Sequence, residues 1–518
     1  MKKFIALALF SALLVFLFML PADTRSAQIY LLKLEASINP VTKDYVVRNI
    51  VKANREGAGA VIIQLDTPGG LESSMKDIIK AIFASEVPII VWVGPAGSRA
   101  GSAGVFITLA ADVAAMAKGT NIGAAHPVGL GGESPEEQSP LEEKITNDAA
   151  AFARGVAEKR GRNVEWAEDA VRKSVSITSS DALKLGVIDL IADNLDDLLE
   201  ELDGYPLGAR EALAAVRKID REALQAAAGD ESAELEDLIA QFKDTIKAGG
   251  AAEALAAAAT IKGELMEIEQ ALSTEKDLFQ AVNRAEEELQ EFIAAGRVLW
   301  TEGAQLLELP MTLKDRLLNY LADPNIVYLL LMLGIYGLIY EFFNPGIGFG
   351  LAAGGLSLLL AFMGLQILPI NVTGLALILF GALLMILDAF TPTHGILTTG
   401  GVISLLLGSF TLFNIQSPAL HLSLWNIITT TGVVTALFVF IISKGLLIQR
   451  KQATTGLEGM IGAVGEAREE IVSEGLVFVK GEYWKAVSVD GEEIRKGEEV
   501  RVEGIDRDRG RLLVRRVE

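Results

Sequence analysis

From Asn325 onward the chain is written in long apolar runs broken only by short connections rich in Gly, Pro and Asn, and no other feature limits its possible folds as much. Crossing a bilayer core takes roughly 20 consecutive apolar residues. Five stretches qualify, at approximately 326–343, 347–368, 372–390, 396–413 and 423–443. They are separated by Asn344-Pro345-Gly346, Pro369-Ile370-Asn371, Thr391-Pro392-Thr393-His394 and Asn414 to His421. An α-helical transmembrane bundle with tight turns is expected. Glu341 and Asp388 fall at span ends, where an ionised carboxylate costs far less than at mid-bilayer. Having no basic partners, they read as caps rather than as an ion path.

At the other terminus, Lys2 and Lys3 precede an apolar stretch from Phe4 to Leu20 broken only by Ser11, and polar residues come after it from Asp23. That pattern reads as a secretory signal or as an uncleaved anchor over residues 1–27, and either would export the segment that begins at residue 28. Starting outside, five crossings end inside, and Lys444, Arg450 and Lys451 after the last span agree with the positive-inside rule. The segment from residue 28 is therefore expected on the periplasmic or extracellular side and the C-terminal segment in the cytoplasm. At 518 residues the chain must divide into several cores. Its 46 Lys and Arg against 67 Asp and Glu leave a formal charge of −21, which supplies no surface for phosphates and argues against nucleic-acid binding. With no cysteine and three histidines there is no disulfide framework, thiolate metal site or cysteine nucleophile, and no cofactor is implied. Nucleophilic chemistry falls to a hydroxyl.

Residues 28–200 alternate strand-like and helix-like segments, the signature of a βα-repeating domain around a parallel sheet. The expected strands are Ile29–Leu34, Ala60–Leu65, Pro88–Val93, Asp112–Ala117, Val175–Thr178 and Val187–Ile191. Two glycine-rich turns each follow an apolar strand. In Leu65-Asp66-Thr67-Pro68-Gly69-Gly70 the glycines let backbone N–H groups approach a ligand, as an oxyanion hole requires, although Asp66 capping a plain turn would look the same. In Gly94 to Gly104, small residues flank Ser102 ahead of an apolar helix through Val105, Phe106 and Leu109. A serine there gains from the positive end of the helix as its oxygen develops charge, and an N-cap serine would occupy the same position. Ser98 is the competing hydroxyl. Two bases are available downstream, His126 and Lys144. Lysine serves only where its pKa is lowered, and Glu142 and Glu143 flank Lys144. Spacing does not decide between them.

Taken together, the Thr-Pro-Gly-Gly turn, Ala100-Gly101-Ser102-Ala103-Gly104, Asn121 to Pro127, Lys144-Ile145-Thr146-Asn147 and the ending Ala182-Leu183 to Gly186-Val187-Ile188-Asp189 resemble the long-form NfeD family of membrane serine proteases. Asp323-Pro324-Asn325, Gly334 to Leu338 and Glu341 to Gly346 resemble the start of that family's membrane region. Thr455 to Gly462, Gly481 to Ala486 and Gly497 to Val502 resemble its C-terminal barrel of the OB type. The resemblance implies a multidomain chain: a signal or anchor at 1–27, an α/β Clp-protease/crotonase-like domain at 28–206, its end and linker at 298–322, a transmembrane region at 323–444 and a small β-barrel at 455–518.

Carried over residue by residue, the resemblance makes Ser102 the nucleophile and Lys144 the general base, with backbone N–H groups of Gly69 or Gly70 and Ala103 as oxyanion donors. His126 stays a rival base. Lys144 would need a buried pocket, completed by homo-oligomerisation, to become neutral. The implied activity is a serine endopeptidase acting on apolar segments of membrane-associated proteins, with a stomatin-like or flotillin-like membrane partner. The competing reading is a non-catalytic membrane scaffold that organises partners through its exported and barrel domains. In the barrel, Trp484 and Tyr483 are the only evident stacking candidates, so protein interaction is preferred to nucleic acid.

One stretch departs from the pattern. Residues 207–297, rich in Ala, Glu, Leu and Lys, stand where the family would pass directly from Leu207 to Val298. Leu235, Leu238, Ile239, Phe242 and Ile246 form one apolar stripe, and Leu265, Ile268, Leu272, Leu278, Val282 and Leu289 another. A helical insertion packed on itself is expected, and a lid over the groove or a partner-docking arm is the alternative.

Overall fold

The computed structural model describes residues 28–127, 140–219, 231–247, 250–271, 276–343, 348–391, 393, 395–413, 422–449 and 457–517. The expected signal at 1–27, the Asn344-Pro345-Gly346 turn and the Arg450–Lys451 pair lie outside the described residues.

The segment from residue 28 begins with β1 (Gln28–Glu35), α1 (Pro40–Glu56), β2 (Ala60–Asp66), α2 (Glu72–Phe83) and β3 (Ile89–Val93). Next come β4 (Arg99–Gly101), α3 (Ala103–Ala110), β5 (Val113–Met116), β6 (Asn121–Gly123), α4 (Pro140–Lys159) and α5 (Val164–Arg172). After these stand β7 (Ser176–Thr178), α6 (Ser179–Lys184), β8 (Leu190–Ile191) and α7 (Leu195–Leu202). The runs are apolar without a polar face because the sheet is covered on both sides. Tyr30, Leu32, Val61 and Ile63 enter one core, and their neighbours Ile29, Leu31, Ala60 and Ile62 the other.

Three features of the sheets differ from the expected strands. The main sheet has six strands, all parallel, in the order β11-β1-β2-β3-β5-β8, and its edge strand β11 (Gln305–Glu308) comes from beyond the insertion. The strand expected at Val175–Thr178 belongs instead to a separate sheet of β4, β6 and β7. The three-residue β4 and β6 are additional to the expected set.

The insertion leaves and returns at one place. β9 (Tyr205–Pro206) pairs antiparallel with β10 (Val298–Leu299), and Asp203 accepts from the Thr301 and Glu302 N–H groups at 2.8 and 2.9 Å. Those two N–H groups hold the Asp203 carboxyl below the usual carboxylate range. Between the two strands run α8 (Ala209–Arg217), α9 (Glu231–Lys247), α10 (Ala251–Ala271) and α11 (Lys276–Ala295). The two sequence stripes share one core, where Leu235, Ile239 and Phe242 meet Leu265, Ile268, Val282 and Leu289.

A charge cluster ties this bundle to the α/β domain. Asp189, 1% exposed, pairs with the equally buried Arg162 at 2.7 Å and with Arg210 of α8 at 2.6 Å. Arg210 also donates to the carbonyls of Gly186 and Ile188. Arg160 bridges Asp112 at 2.8 Å and Glu211 at 3.4 Å.

After β11, α12 (Leu313–Tyr320) leads into the apolar helices α13 (Pro324–Phe343), α14 (Phe349–Ile367) and α15 (Val372–Phe390). These three, with mean hydropathy of 2.0, 1.8 and 2.3, are long and apolar enough to cross a membrane. Of the other two expected spans, α16 (Ile396–Thr411) is shorter, at 16 residues, and α17 (Leu424–Gln449) runs for 26. α13 and α14 touch through glycines: a Cβ on Gly337 would lie 2.8 Å from the Gly354 Cα. Glu341 accepts from the N–H groups of Gly348 and Gly350 at 3.1 and 3.0 Å at the start of α14, and Asp388 accepts from the hydroxyls of Thr393 and Thr398. Both acids therefore cap turns.

The C-terminal segment is a closed five-stranded barrel of β12 (Val464–Ala467), β13 (Gly475–Val479), β14 (Glu482–Ser488), β15 (Glu499–Asp506) and β16 (Arg511–Arg516), ordered β12-β13-β14-β16-β15. Alternating residues such as Val477, Val479, Val500, Val502, Leu512 and Val514 fill it. Tyr483 stays exposed, its ring 4.9 Å from that of Phe478.

Removing the Asp189 carboxylate leaves two guanidinium groups without their counter-charge, one of them fully buried. Asp189→Ala is expected to destabilise the α/β domain by roughly 3–5 kcal/mol, read by urea unfolding of the solubilised chain with hydrogen exchange at the sheet amides.

Candidate active site

The two glycine-rich turns converge because β2 and β3 are neighbours in the sheet. Thr67 N–H donates to Arg99 O at 2.8 Å, Gly101 N–H donates to Thr67 O at 2.9 Å, and Asp66 braces the elbow by accepting from Arg99 N–H at 3.0 Å. Asp66 thus ties one turn to the other. Ser102 N–H donates to Gly123 O at 3.3 Å.

Between β4 and α3 the backbone of Ser102 is forced to φ 48°, ψ −109°. A non-glycine residue in such a region stores about 1–3 kcal/mol of strain. Ser102 occupies the N-cap position of α3, yet its side chain makes no capping hydrogen bond. The hydroxyl of Ser98, 4% exposed, is buried away from the cavity that Ser102 lines.

That cavity measures about 200 Å³. Ser102 and Ala103 form one wall, Gly70, Leu71, Glu72 and Ser73 another, and Ala125, His126 and Pro127 a third. Its interior is apolar, made by Met75, Phe106, Ala149 and Phe152, with the rings of Phe106 and Phe152 stacked at 5.8 Å. Met75 reads from sequence only as core. Ala149 and Phe152 come from one face of α4, and an i, i+3 spacing is the only trace they leave in the sequence.

Gly69 and Gly70 are required by close approach. A Cβ on Gly69, at φ +123°, would lie 2.6 Å from Ser102 Cβ and 3.2 Å from its Oγ, and one on Gly70 would lie 2.0 Å from Ile38 O. Of the expected oxyanion donors, Gly70 and Ala103 line the cavity, while Gly69 N–H donates to Thr67 Oγ1 at 3.1 Å. Ala103 opens α3, where the N–H groups lack intrahelical partners and the helix end is positive.

The two candidate bases are placed differently. His126 lines the cavity, with Nδ1 2.9 Å from Val171 O. A carbonyl only accepts, so Nδ1 carries a proton, and in the neutral ring Nε2 is the nitrogen left to accept. Lys144 is exposed near the start of α4, outside the cavity lining, and among the described residues it makes no hydrogen bond with Ser102. At the rim, Lys76 pairs with Glu72 at 2.6 Å and Asp148 at 3.5 Å and lies over the Phe152 ring. Burial works to lower its pKa, and the two carboxylates outweigh that and hold it above the ordinary value. Among the described residues no part of the insertion lines the cavity.

Residues 28–205 match the family described as NfeD1b, N-terminal domain, residues 325–444 the NfeD integral membrane domain, and residues 457–515 the NfeD-like C-terminal, partner-binding domain. The chain is 30% identical over 484 residues to the membrane-bound protease PH1510 of Pyrococcus horikoshii, covering 92% of this chain and 91% of that protein. It is 24% identical over 509 residues to the membrane protein NfeD1b of Bacillus subtilis, covering 92% and 94%. Among solved structures it is similar to a mutant of the 1510-N membrane-bound stomatin-specific protease in complex with a substrate peptide, at 37% identity over 35% of this chain and 82% of that one, with a TM-score of 0.32. Three NfeD domains in order, and a relative matched along nine-tenths of both chains, show that this chain is a membrane protein of the long-form NfeD family.

Proposed function

We propose that the chain is a membrane-anchored serine endopeptidase with Ser102 as nucleophile. The observation that carries this reading is the strained, uncapped Ser102 at the positive end of a buried helix, opening into an apolar cavity. A serine kept only for capping would use its hydroxyl on the backbone and would not need a strained φ.

In the reaction, Ser102 Oγ attacks the scissile carbonyl carbon and its proton passes to the neutral amine of Lys144. The carbonyl oxygen becomes an oxyanion facing the N–H groups of Ala103 and Gly70. Collapse breaks the C–N bond, and the ammonium of Lys144 returns the proton to the departing amine. A water that gives its proton to Lys144 then hydrolyses the acyl-enzyme. The cavity takes an apolar side chain of the substrate.

Lys144 works only when neutral, and its exposure in the single chain is the reason to infer a homo-oligomer in which a second copy covers the start of α4 and desolvates it. His126 is the alternative base, supported by its position on the cavity wall. The domain from residue 28 works on the periplasmic or extracellular side, and the barrel binds a stomatin-like or flotillin-like protein from the cytoplasm. The partner-binding description of the C-terminal domain and the stomatin-specific relative support that assignment.

Two measurements test the reading. With apolar unstructured peptides and the full chain in vesicles, mass spectrometry is expected to show kcat/KM falling at least about a thousandfold for Ser102→Ala and for Lys144→Ala. His126→Ala should lose less than the roughly hundredfold that a general base contributes. Loss with His126 and retention without Lys144 would reassign the base, and retention without Ser102 would end the serine mechanism. Separately, Ser102→Gly should be more stable than Ser102→Ala by about 1 kcal/mol, because glycine relieves the backbone strain that alanine keeps. Equal unfolding midpoints would mean that the elbow is not strained.

A further inference from the structure

We propose that the site acts on chains that emerge from the same bilayer, cutting them close to the membrane surface, and that contact between Leu71 and the membrane helices sets this distance. The inference rests on the peptidase reading above and adds a substrate class to it: membrane-tethered polypeptides with the scissile bond next to their own membrane segment.

Leu71 does two things at once. It is part of the cavity wall that faces Ser102, and its side chain packs on the apolar cluster of Val327, Leu365 and Leu368, together with Phe413. Val327 lies at the start of α13, Leu365 in the last turn of α14, Leu368 just beyond that helix and Phe413 just beyond the end of α16, which are helix ends of a single side of the bundle. The polar boundary of that side is marked by Asn325, whose Oδ1 accepts from Ser423 N–H and Asn426 Nδ2, both at 2.8 Å. Leu329, one turn further along α13, is already exposed as a lipid-facing residue would be. The wall of the cavity therefore stands on the edge of the apolar belt.

The backbone fixes Leu71 in that place. Its N–H donates to Ile38 O at 2.7 Å, and Ile38 N–H donates to Gly69 O at 2.8 Å. The adjoining Asn39 donates from Nδ2 to Asn319 Oδ1 of α12 at 2.8 Å, and Arg48 pairs with Asp315 of the same helix at 2.7 Å. From the end of α12 only Leu321, Ala322 and Asp323 remain before α13 begins. Three residues span at most about 10 Å, so the domain has no slack to rise from the membrane. A cavity held there meets a tethered chain within its first few residues outside the lipid, and a chain whose cleavable stretch begins far out must fold back to reach it.

The test uses the full chain in phosphatidylcholine/phosphatidylglycerol vesicles. Substrates carry one apolar transmembrane helix, a Gly/Ser spacer of roughly 3, 10 or 40 residues, and an apolar cassette that is also supplied as a free peptide. The expected result is a rate at least about tenfold higher with the shortest spacer than with the longest, with all substrates confined equally to the membrane. Inserting about ten Gly/Ser residues between Leu321 and Ala322 should move the optimum to longer spacers, since about 30 Å of slack is then available. Equal rates at all spacers, with the free cassette cut, would overturn this inference and leave the peptidase reading intact. An optimum that stays put in the lengthened variant would remove the role given to the short connection and to Leu71. If neither free nor tethered cassette is cut by the wild type, the peptidase reading fails and this one with it.

Discussion

Everything at the site depends on how the eight-residue helix α3 is held. All its residues, Ala103 to Ala110, are buried, so it has no solvent face along which to shift. At its C-terminal end Arg160 Nε donates to Ala110 O at 2.8 Å and Arg162 Nη2 to Ala111 O at 3.1 Å, placing cations where the helix dipole is negative. At its other end the chain has to enter from β4 through Ser102, and the strained φ is where the mismatch is taken up. Strain of that kind persists only when the surroundings over-determine it. Here the sheet, the Thr67 bonds and the arginines do so together. The same arginines connect through Asp189 to Arg210 and through Arg160 to Glu211, so the insertion is fastened at the far end of the helix that presents Ser102. Burial drives the Glu211 carboxyl up, and Arg160 beside it works in the opposite direction.

That placement accounts for the insertion's absence, among the described residues, from the cavity lining. The bundle grows from the β9–β10 pair, and its α8 is linked through the Glu211–Arg160 pair to the Ala110 end of α3 rather than to the Ser102 end. Of the expected alternatives, a bundle packed on itself agrees with the shared core, and a lid over the cavity does not agree with a lining free of insertion residues among those described.

How much of this is legible in the sequence depends on whether the signal is local. β2 and β3 can be read directly, because strands buried on both faces carry near-continuous apolar runs, Ala60–Ile63 in one and Ile89–Val93 in the other. β11 cannot, since Gln305–Glu308 is exposed throughout, and only its pairing with β1, across more than 250 residues, makes it a strand. β4 and β6 are three residues each, too short for any periodicity. Ser102 is visible because small residues crowd it on both sides, but the absence of a capping bond, which separates an elbow from an N-cap, exists only in three dimensions. Phe152 and Leu71 look like ordinary core residues in sequence. The choice of base stays open in the sequence and in the isolated chain for one physical reason: whether Lys144 is neutral depends on what covers it.

The membrane helices are better understood as a footing than as a conduit. Glu341 and Asp388, the two acids that would have to serve an ion path, spend their oxygens on the N–H groups and hydroxyls of adjacent turns. Inside the bundle the polar contacts are of the same closing kind, such as Tyr328 with Ser409 and Ser404 with Leu377 O. Glycine contacts bring α13 and α14 close together. The helix ends on which Leu71 packs give meaning to the short connection above them. A domain joined to the helices by a long linker would sample many heights, whereas one joined by three residues, and packed on the helix ends through Leu71, holds its cavity at one. The selection of a peptide bond then begins with where the bond lies relative to the lipid, before any side chain enters the cavity.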